Sequence, residues 1–240
     1  MNHVTLQGRV DALLARYGHL QGEELLRPLL TEELKGRIAL VSSFGAESAV
    51  LLHQVSRIDP ATPVIFIDTG KLFGETRRYK RQLVGLLGLT DVRDITPDAA
   101  EEGVEDPQGL LWQSSTDACC ALRKVRPLDR ALGPFGAWIT GRKRFQAGTR
   151  AALPPIEAEG GRIKVNPLAD WDREALTAYL DAHGLPRHPL EADGYPSIGC
   201  MPCTDRVAPG EDIRAGRWRG QAKTECGIHL GMPGPARAAG

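Results

Sequence analysis

The chain has 240 residues, 42% of them apolar and 25% charged, and Lys plus Arg equal Asp plus Glu at 30 each. That length supports one large globular domain with its own core, and the balanced charge gives no footing for a nucleic-acid partner or an anionic membrane surface. Met1 to Gly22 lacks the basic start and apolar stretch of a secretory signal, and no run reaches the roughly 18 apolar residues of a membrane span. Five cysteines, an odd count, do not fill a disulfide framework. The expected compartment is a reducing cytoplasm.

Taken in order, residues 9–34 carry helical apolar spacing (Val10, Leu13, Leu14, then Leu25, Leu26, Leu29, Leu30) and predict two short N-terminal helices packing on the domain or on another subunit. Ile38–Val41 is a short buried-type strand, followed by Ser43-Phe44-Gly45-Ala46-Glu47-Ser48 and a helix with Val50, Leu51, Leu52 and Val55. Val64–Ile67 predicts a second strand ending at Asp68-Thr69-Gly70, then a polar helix to about Leu87. Val92–Ile95 and Ala137–Thr140 predict two more strands. Strands alternating with helices give an α/β fold, a parallel twisted sheet with helices on both faces, with ligands at the carboxyl ends of the strands. Three loops lie at such ends: after Val41, Ile67 and Thr140. Beyond Gly160 the pattern weakens, leaving one helix at about Asp172–His183 and an irregular, Pro- and Gly-rich C-terminal tail that a metal site at Cys200 and Cys203 would order. The expected division is 1–35 for the N-terminal helices, 36–205 for the α/β domain and 206–240 for the tail.

Two features carry chemistry. The loop after the first strand lets backbone N–H groups, the Ser43 and Ser48 hydroxyls and a helix N-terminus approach an anion, with Gly45 keeping the backbone accessible. The plain alternative is an ordinary strand-to-helix turn with a serine cap. It is not a GxxxxGK[ST] loop, because the lysine is absent. The second feature is the cysteines: the adjacent pair Cys119-Cys120, the spaced pair Cys200-x-x-Cys203, and Cys226 alone. Four soft ligands are what an iron–sulfur cluster takes from protein, and also what a structural zinc takes. Adjacent cysteines are awkward ligands for one zinc, whereas each thiolate of a cubane binds a different iron. If the segment after Cys120 is helical, Lys124 shares its face.

The first loop resembles the SxGxDS-type loop of the ATP-pyrophosphatase-like (adenine nucleotide alpha hydrolase-like) superfamily, with Glu47 where Asp is common and Phe44 in place of one glycine. With Asp68-Thr69-Gly70 and Glu75-Thr76, Thr140-Gly141-Arg142-Lys143-Arg144-x-Gln146-x-x-Thr149-Arg150, and Lys223-Thr224-Glu225-Cys226-Gly227-Ile228-His229, the chain resembles the assimilatory sulfonucleotide reductases from about Ala39 to His229. Its two cysteine pairs resemble the adenylyl-sulfate (APS) branch, which carries a [4Fe–4S] cluster, rather than the phosphoadenylyl-sulfate (PAPS) branch. Phe145 and Ala147-Gly148 depart from the more polar residues usual there.

The resemblance implies metal ligands Cys119, Cys120, Cys200 and Cys203, with Lys124 linking cluster and substrate. It implies an adenosine pocket lined by Asp68, Thr69 and Gly70 (a turn role for Gly70 being the alternative) and oxyanion contacts from Arg144, Arg214 and Arg217. It implies Cys226 as nucleophile toward APS, giving AMP and an enzyme S-sulfocysteine from which thioredoxin releases sulfite; with four cysteines on metal, no second thiol remains in the chain for that step. Lys223 and His229 favour the Cys226 thiolate and Glu225 opposes it, so docking of the tail, with effective molarities reaching about 10⁵ M, has more to offer than charge. A PAPS or dual-substrate reductase, and a zinc-stabilised nucleotide-binding or thiol-sensing protein, are the alternatives. A tRNA-thiolating relative would want an ATP-cleaving loop and a basic surface. Relatives of this kind form oligomers, but no residue here establishes a homo-oligomer.

Overall fold

The computed structural model describes residues 5–146, 148–221, 223 and 225–228. Helix α1 (Leu6–Tyr17) starts where the Thr5 hydroxyl accepts from Gly8 N–H, and α2 (Gly22–Pro28) runs into a π-helical turn, Leu29–Glu33. Then follow β1 (Ile38–Val41), α3 (Ser48–Ile58), β2 (Val64–Ile67), α4 (Gly74–Leu87), β3 (Val92–Ile95), α5 (Ala99–Glu105), α6 (Leu111–Ser114) and α7 (Thr116–Cys120). A π-helical turn, Ala121–Val125, joins α7 directly to α8 (Arg126–Leu132). After β4 (Ala137–Ile139) come the hairpin β5 (Ile156–Glu159) and β6 (Arg162–Val165), then α9 (Arg173–Ala182) and α10 (Pro189–Ala192).

Among the described residues six strands form one sheet, in the order β3-β2-β1-β4-β6-β5. All pairings are parallel except β5 with β6. The mostly parallel α/β sheet is the expected one; the antiparallel edge is not foreseen in the sequence. Gly160 and Gly161, both at positive φ (57° and 76°), make the tight reversal that this hairpin needs.

The period-2 alternation of each strand divides the core. Ile38, Leu40, Val64, Phe66, Ala137, Ile139, Ile163 and Val165 face one side, packing with Leu25, Leu26, Leu52, Val55 and Leu176. Ala39, Ile65 and Trp138 face the other, against Leu128, Leu132 and Phe135. The N-terminal helices are part of this domain's core: Val10, Leu13, Leu25, Leu26 and Leu29 are buried in the same cluster as the sheet.

Two buried side chains need electrostatic accounts. Lys164, fully buried on β6, sets its ammonium against Glu159 and 4.6 Å from the Trp138 ring centre; burial pulls its pKa down to about 8. His188, 1% exposed, caps α10: Nδ1 accepts from Leu190 N–H at 3.2 Å, so Nε2 carries the proton and donates to Thr76 Oγ1 at 3.1 Å. Burial drops its pKa to about 4, against a smaller opposing pull from Glu75.

The unfolded chain therefore binds a proton at His188 between about pH 6.5 and 4 that the folded chain refuses. Its contribution to stability is complete above about pH 6.5 and is lost as pH falls toward 4. Urea unfolding of the wild type at pH 7 and pH 5 should show a loss of roughly 2 kcal/mol that His188→Asn, which can still cap, does not show; equal losses in both proteins would contradict this.

Candidate active site

The strand order reverses at β1 and β4, whose chains leave the sheet toward opposite sides, and the crevice at their carboxyl ends is where such sheets bind ligands. A cavity of about 250 Å³ occupies that crevice. Its walls are the loop after β1 (Ser43, Gly45, Glu47, Ser48), Thr69 after β2, the segment after β4 (Thr140, Gly141, Arg142, Lys143, Gln146, Arg150), Lys124, the 196–199 loop, Arg214, Arg217, Trp218, Glu225 and Cys226.

Of the residues singled out in the sequence, Ser43, Gly45, Ser48, Thr69, Lys124, Arg214, Arg217 and Cys226 all line this cavity. Asp68, Gly70 and Arg144 do not. Asp68 takes a bidentate fork from Arg77 (2.9 and 3.0 Å) and the Gly70 N–H at 3.0 Å; burial works against its charge, but these donors hold its pKa below the usual carboxylate value. Gly70, at φ 72°, serves the turn. Arg144 reaches away, donating from Nε to Leu153 C=O at 2.9 Å and pairing with Asp170. The cations of this loop that face the cavity are Arg142, Lys143 and Arg150, which the sequence reading passed over although they lie in the quoted motif.

Cys119, Cys120, Cys200 and Cys203, far apart in sequence, line one small second cavity with Thr69, Lys71, Arg123, Lys124 and Trp218. No carboxylate or imidazole joins them there. Among the described residues, no group of three or more His, Cys, Asp or Glu side chains is arranged to hold a metal ion. Burial first, then the neighbouring cysteines, push Cys119 up to about 11; burial likewise raises Cys120 and Cys203. Cys200 is lowered: burial opposes its thiolate, but Lys124, the Thr69 hydroxyl at 3.2 Å and Arg217 outweigh it.

Lys124, Thr69 and Trp218 line both cavities. Lys124 stands in the π-helical turn, so the helix carrying Cys119 and Cys120 gains a residue there and its register differs from that of an uninterrupted α-helix. Burial works against the Lys124 ammonium, but Cys200, Cys226 and Cys120 more than offset it and its pKa is raised.

Neighbouring Arg123, 2% exposed, fixes this turn to β2. Its Nη1 donates to Thr69 C=O at 3.0 Å, and its Nε and Nη2 reach Asp106 Oδ2 at 3.0 and 2.6 Å. The spaced cysteine pair is held by β-like bridging: Met201 N–H donates to Lys71 C=O at 2.8 Å, and Thr204 pairs with Arg217.

The tail docks on the same helix. Ile228 packs against the Trp138 side of the core, and Gly227, at φ 83°, leaves room for Val125, whose Cγ2 would lie 3.3 Å from an added Cβ. Lys223 pairs with Asp117, so its ammonium is engaged there. His229 and Thr224 lie outside the described residues. Gly199 lies against Arg217: a Cβ there would sit 2.3 Å from Nη2, so a side chain at that position would displace the guanidinium from where it lines the cavity.

The crevice, the strand order and the anion-facing cations define an α/β protein built to hold a nucleotide-like anion at the ends of β1 and β4. At the level of fold alone, Candida glabrata FMN adenylyltransferase is similar (TM-score 0.55, 14% identity, covering 84% of this chain and 65% of that one). The phosphoadenosine phosphosulfate reductase domain family matches residues 37–206, and the chain belongs to that family. It is 57% identical to adenosine 5'-phosphosulfate reductase of Mesorhizobium japonicum over 92% of this chain and 87% of that one. It is 40% identical to phosphoadenosine 5'-phosphosulfate reductase of Gloeobacter violaceus, over 80% of this chain and 82% of that one. The crystal structure of PAPS reductase from Candida auris superposes with a TM-score of 0.70 at 30% identity, covering 84% of this chain and 97% of that one.

Arg123→Met removes one partner of a buried ion pair and leaves Asp106 uncompensated. It should lower unfolding free energy in urea by about 3 kcal/mol or more, with Asp106→Asn in the same chain recovering part of the loss. A loss below about 1 kcal/mol would deny Arg123 its part in fixing the turn.

Proposed function

We propose that the protein is an adenylyl-sulfate reductase of assimilatory sulfate reduction, converting APS to sulfite and AMP through a Cys226 S-sulfocysteine. The observation that carries this reading is that Cys226 lines one cavity with three strand-end loops and with Lys124, Arg214 and Arg217. The relatives named adenosine 5'-phosphosulfate reductase, matched over most of the chain, support the same substrate.

In this account the loop after β1 and Thr69 hold the nucleotide, and Lys124, Arg214 and Arg217 neutralise the phosphosulfate. The Cys226 thiolate attacks the substrate's sulfur: a Cys226 Sγ–S bond forms, the bond from that sulfur to the bridging oxygen breaks, and AMP leaves with the electron pair. An external dithiol protein of the thioredoxin class then attacks Cys226 Sγ. Sulfite leaves, a mixed disulfide forms, and the partner's second thiol closes its own disulfide and returns Cys226 as thiolate. The dithiol supplies both electrons.

Cys119, Cys120, Cys200 and Cys203 fit a [4Fe–4S] cluster: the cavity they line offers only sulfur ligands, with Lys71, Arg123 and Lys124 to offset an anionic centre. Adjacent cysteines are awkward ligands for one zinc ion, whereas each thiolate of a cubane binds a different iron. When bound, the cluster supplies a fixed negative centre beside Lys124, keeping that ammonium charged against the substrate. The location consistent with these needs is a reducing cytoplasm; among the described residues no helix is long and apolar enough to cross a membrane.

Intact-mass analysis of iron-replete protein mixed with APS, without reductant, should show one sulfonate adduct, mapped to Cys226 and absent from Cys226→Ser. Lys124→Ala should keep the adduct's position but lower kcat/KM by about 10²-fold. An adduct persisting in Cys226→Ser would sink the role given to that thiol.

A further inference from the structure

Trp218, on the irregular segment that leads to the nucleophile, is 3% exposed. Its φ of 50° is left-handed, a conformation that a bulky residue keeps only where its surroundings hold it. Here its N–H donates to Cys203 C=O at 3.2 Å, and its C=O accepts from Gln221 N–H at 2.9 Å. The ring so placed lines both the main cavity and the cavity of the four cysteines.

Among the described residues, three cations stand about this ring. Arg217 Cζ is 4.4 Å from its centre, Lys223 Nζ 5.7 Å and Arg214 Cζ 6.0 Å. Lys223 pairs with Asp117, and Arg214 has Glu225 at 3.6 Å. Arg217 has no carboxylate within ion-pair distance among the described residues. Its Nε donates to Cys203 C=O at a long 3.4 Å. The guanidinium also lies against Gly199, where an added Cβ would meet Nη2 at 2.3 Å and Cζ at 2.5 Å. Ring and glycine together confine a half-buried cation at the wall of the main cavity.

What holds a cation decides what it can still do. A carboxylate partner orients a guanidinium but cancels its charge and competes with an entering anion. An aromatic face attracts the same group through its quadrupole and leaves the N–H edge for oxygen. We infer that Trp218 is a positioning residue: its ring holds the Arg217 guanidinium at the cavity wall with its charge uncancelled, so that the phosphosulfate meets a cation already oriented. This rests on the substrate reading given above. Orientation set before binding is what makes such a contact effective as charge moves in the reaction.

A residue that acts through another shows it in a double-mutant cycle. With iron-replete protein, APS and thioredoxin, Trp218→Leu should lower kcat/KM by about 10-fold when Arg217 is present and by less than about 2-fold in Arg217→Met protein. Trp218→Phe, which keeps an aromatic face, should recover most of the loss. Equal costs of Trp218→Leu in the two backgrounds would mean that the ring only supports the fold, and would overturn the inference.

A second readout needs no substrate. Modification of Arg217 by phenylglyoxal, mapped by peptide mass spectrometry, should be about 5-fold faster in Trp218→Leu than in wild type, while Arg219, paired with Glu211 on the same segment, keeps its rate. Unchanged reactivity of Arg217, or equal acceleration of Arg219, would overturn the stacking role. Should Trp218→Leu fail to fold, Gly199→Ala leaves the ring in place and moves the guanidinium off it. That variant should show the same faster modification and a similar fall in kcat/KM; wild-type values for both would again overturn the inference. Absence of APS turnover by the wild type would count against the substrate instead, and the role of Trp218 would then be decided by the modification rates.

Discussion

The ammonium of Lys124 is the point on which the site turns. It sits in the wall between the cavity at the strand ends and the cavity ringed by four cysteines, where burial opposes its charge and negative charge on the Cys200, Cys226 and Cys120 sulfurs favours it. A half-buried cation facing sulfur on one side and an anion cavity on the other couples two sites that are otherwise separate. It can do so only if its helix is anchored and correctly turned. The π-helical turn sets the rotation, and Arg123, one residue earlier, ties the turn to Thr69 C=O and to Asp106. Thr69 in turn contacts Cys200, so a single hydrogen-bonded path joins the end of β2, the helix and the spaced cysteine pair.

The C-terminal segment depends on that helix. With little regular structure of its own, it is held by particular contacts: Trp218, 3% exposed, with Arg217 4.4 Å from its ring centre; Ile228 in the core beside Val125; and Glu225 on Arg150. Glu225 and Ile228 lie within two residues of Cys226, and Trp218 lies eight residues before it. The tail's order is thereby tied to the loops that line the cavity, which is how a nucleophile carried on an irregular segment can be aimed.

Much of this was legible in the sequence, for identifiable reasons. β1 to β4 are short continuous apolar runs flanked by turn residues, the pattern of strands buried on both faces, and their ends locate the cavity. The β5–β6 hairpin was hidden because Glu157, Glu159, Arg162 and Lys164 read as a polar stretch; their burial depends on Trp138, Arg142 and Asp129, which no local pattern reveals, although Gly160-Gly161 was a turn signal. In the basic run after β4, the sequence offers four cations and no period to say which face inward. Arg144 was chosen, yet the loop turns Arg142, Lys143 and Arg150 to the cavity and sends Arg144 to Asp170. Asp68 looked like a ligand contact because it follows a strand, but Arg77, one helical turn into α4, claims it. Pairwise partnerships across the fold decided these cases, whereas Cys226 and the two cysteine pairs were singled out by the motifs that resemble the sulfonucleotide reductases.

The central claim is that the cavity, Lys124 and Cys226 together reduce a sulfonucleotide with electrons from outside the chain. Its most direct measure is anaerobic sulfite release by iron-replete protein supplied with thioredoxin, comparing APS with PAPS as substrate. The account predicts sulfite from APS at a clearly higher kcat/KM than from PAPS, and none when thioredoxin is omitted beyond the single equivalent held on Cys226. Preference for PAPS would move the protein to the other branch of its family, and sustained sulfite release without an external dithiol would contradict the account.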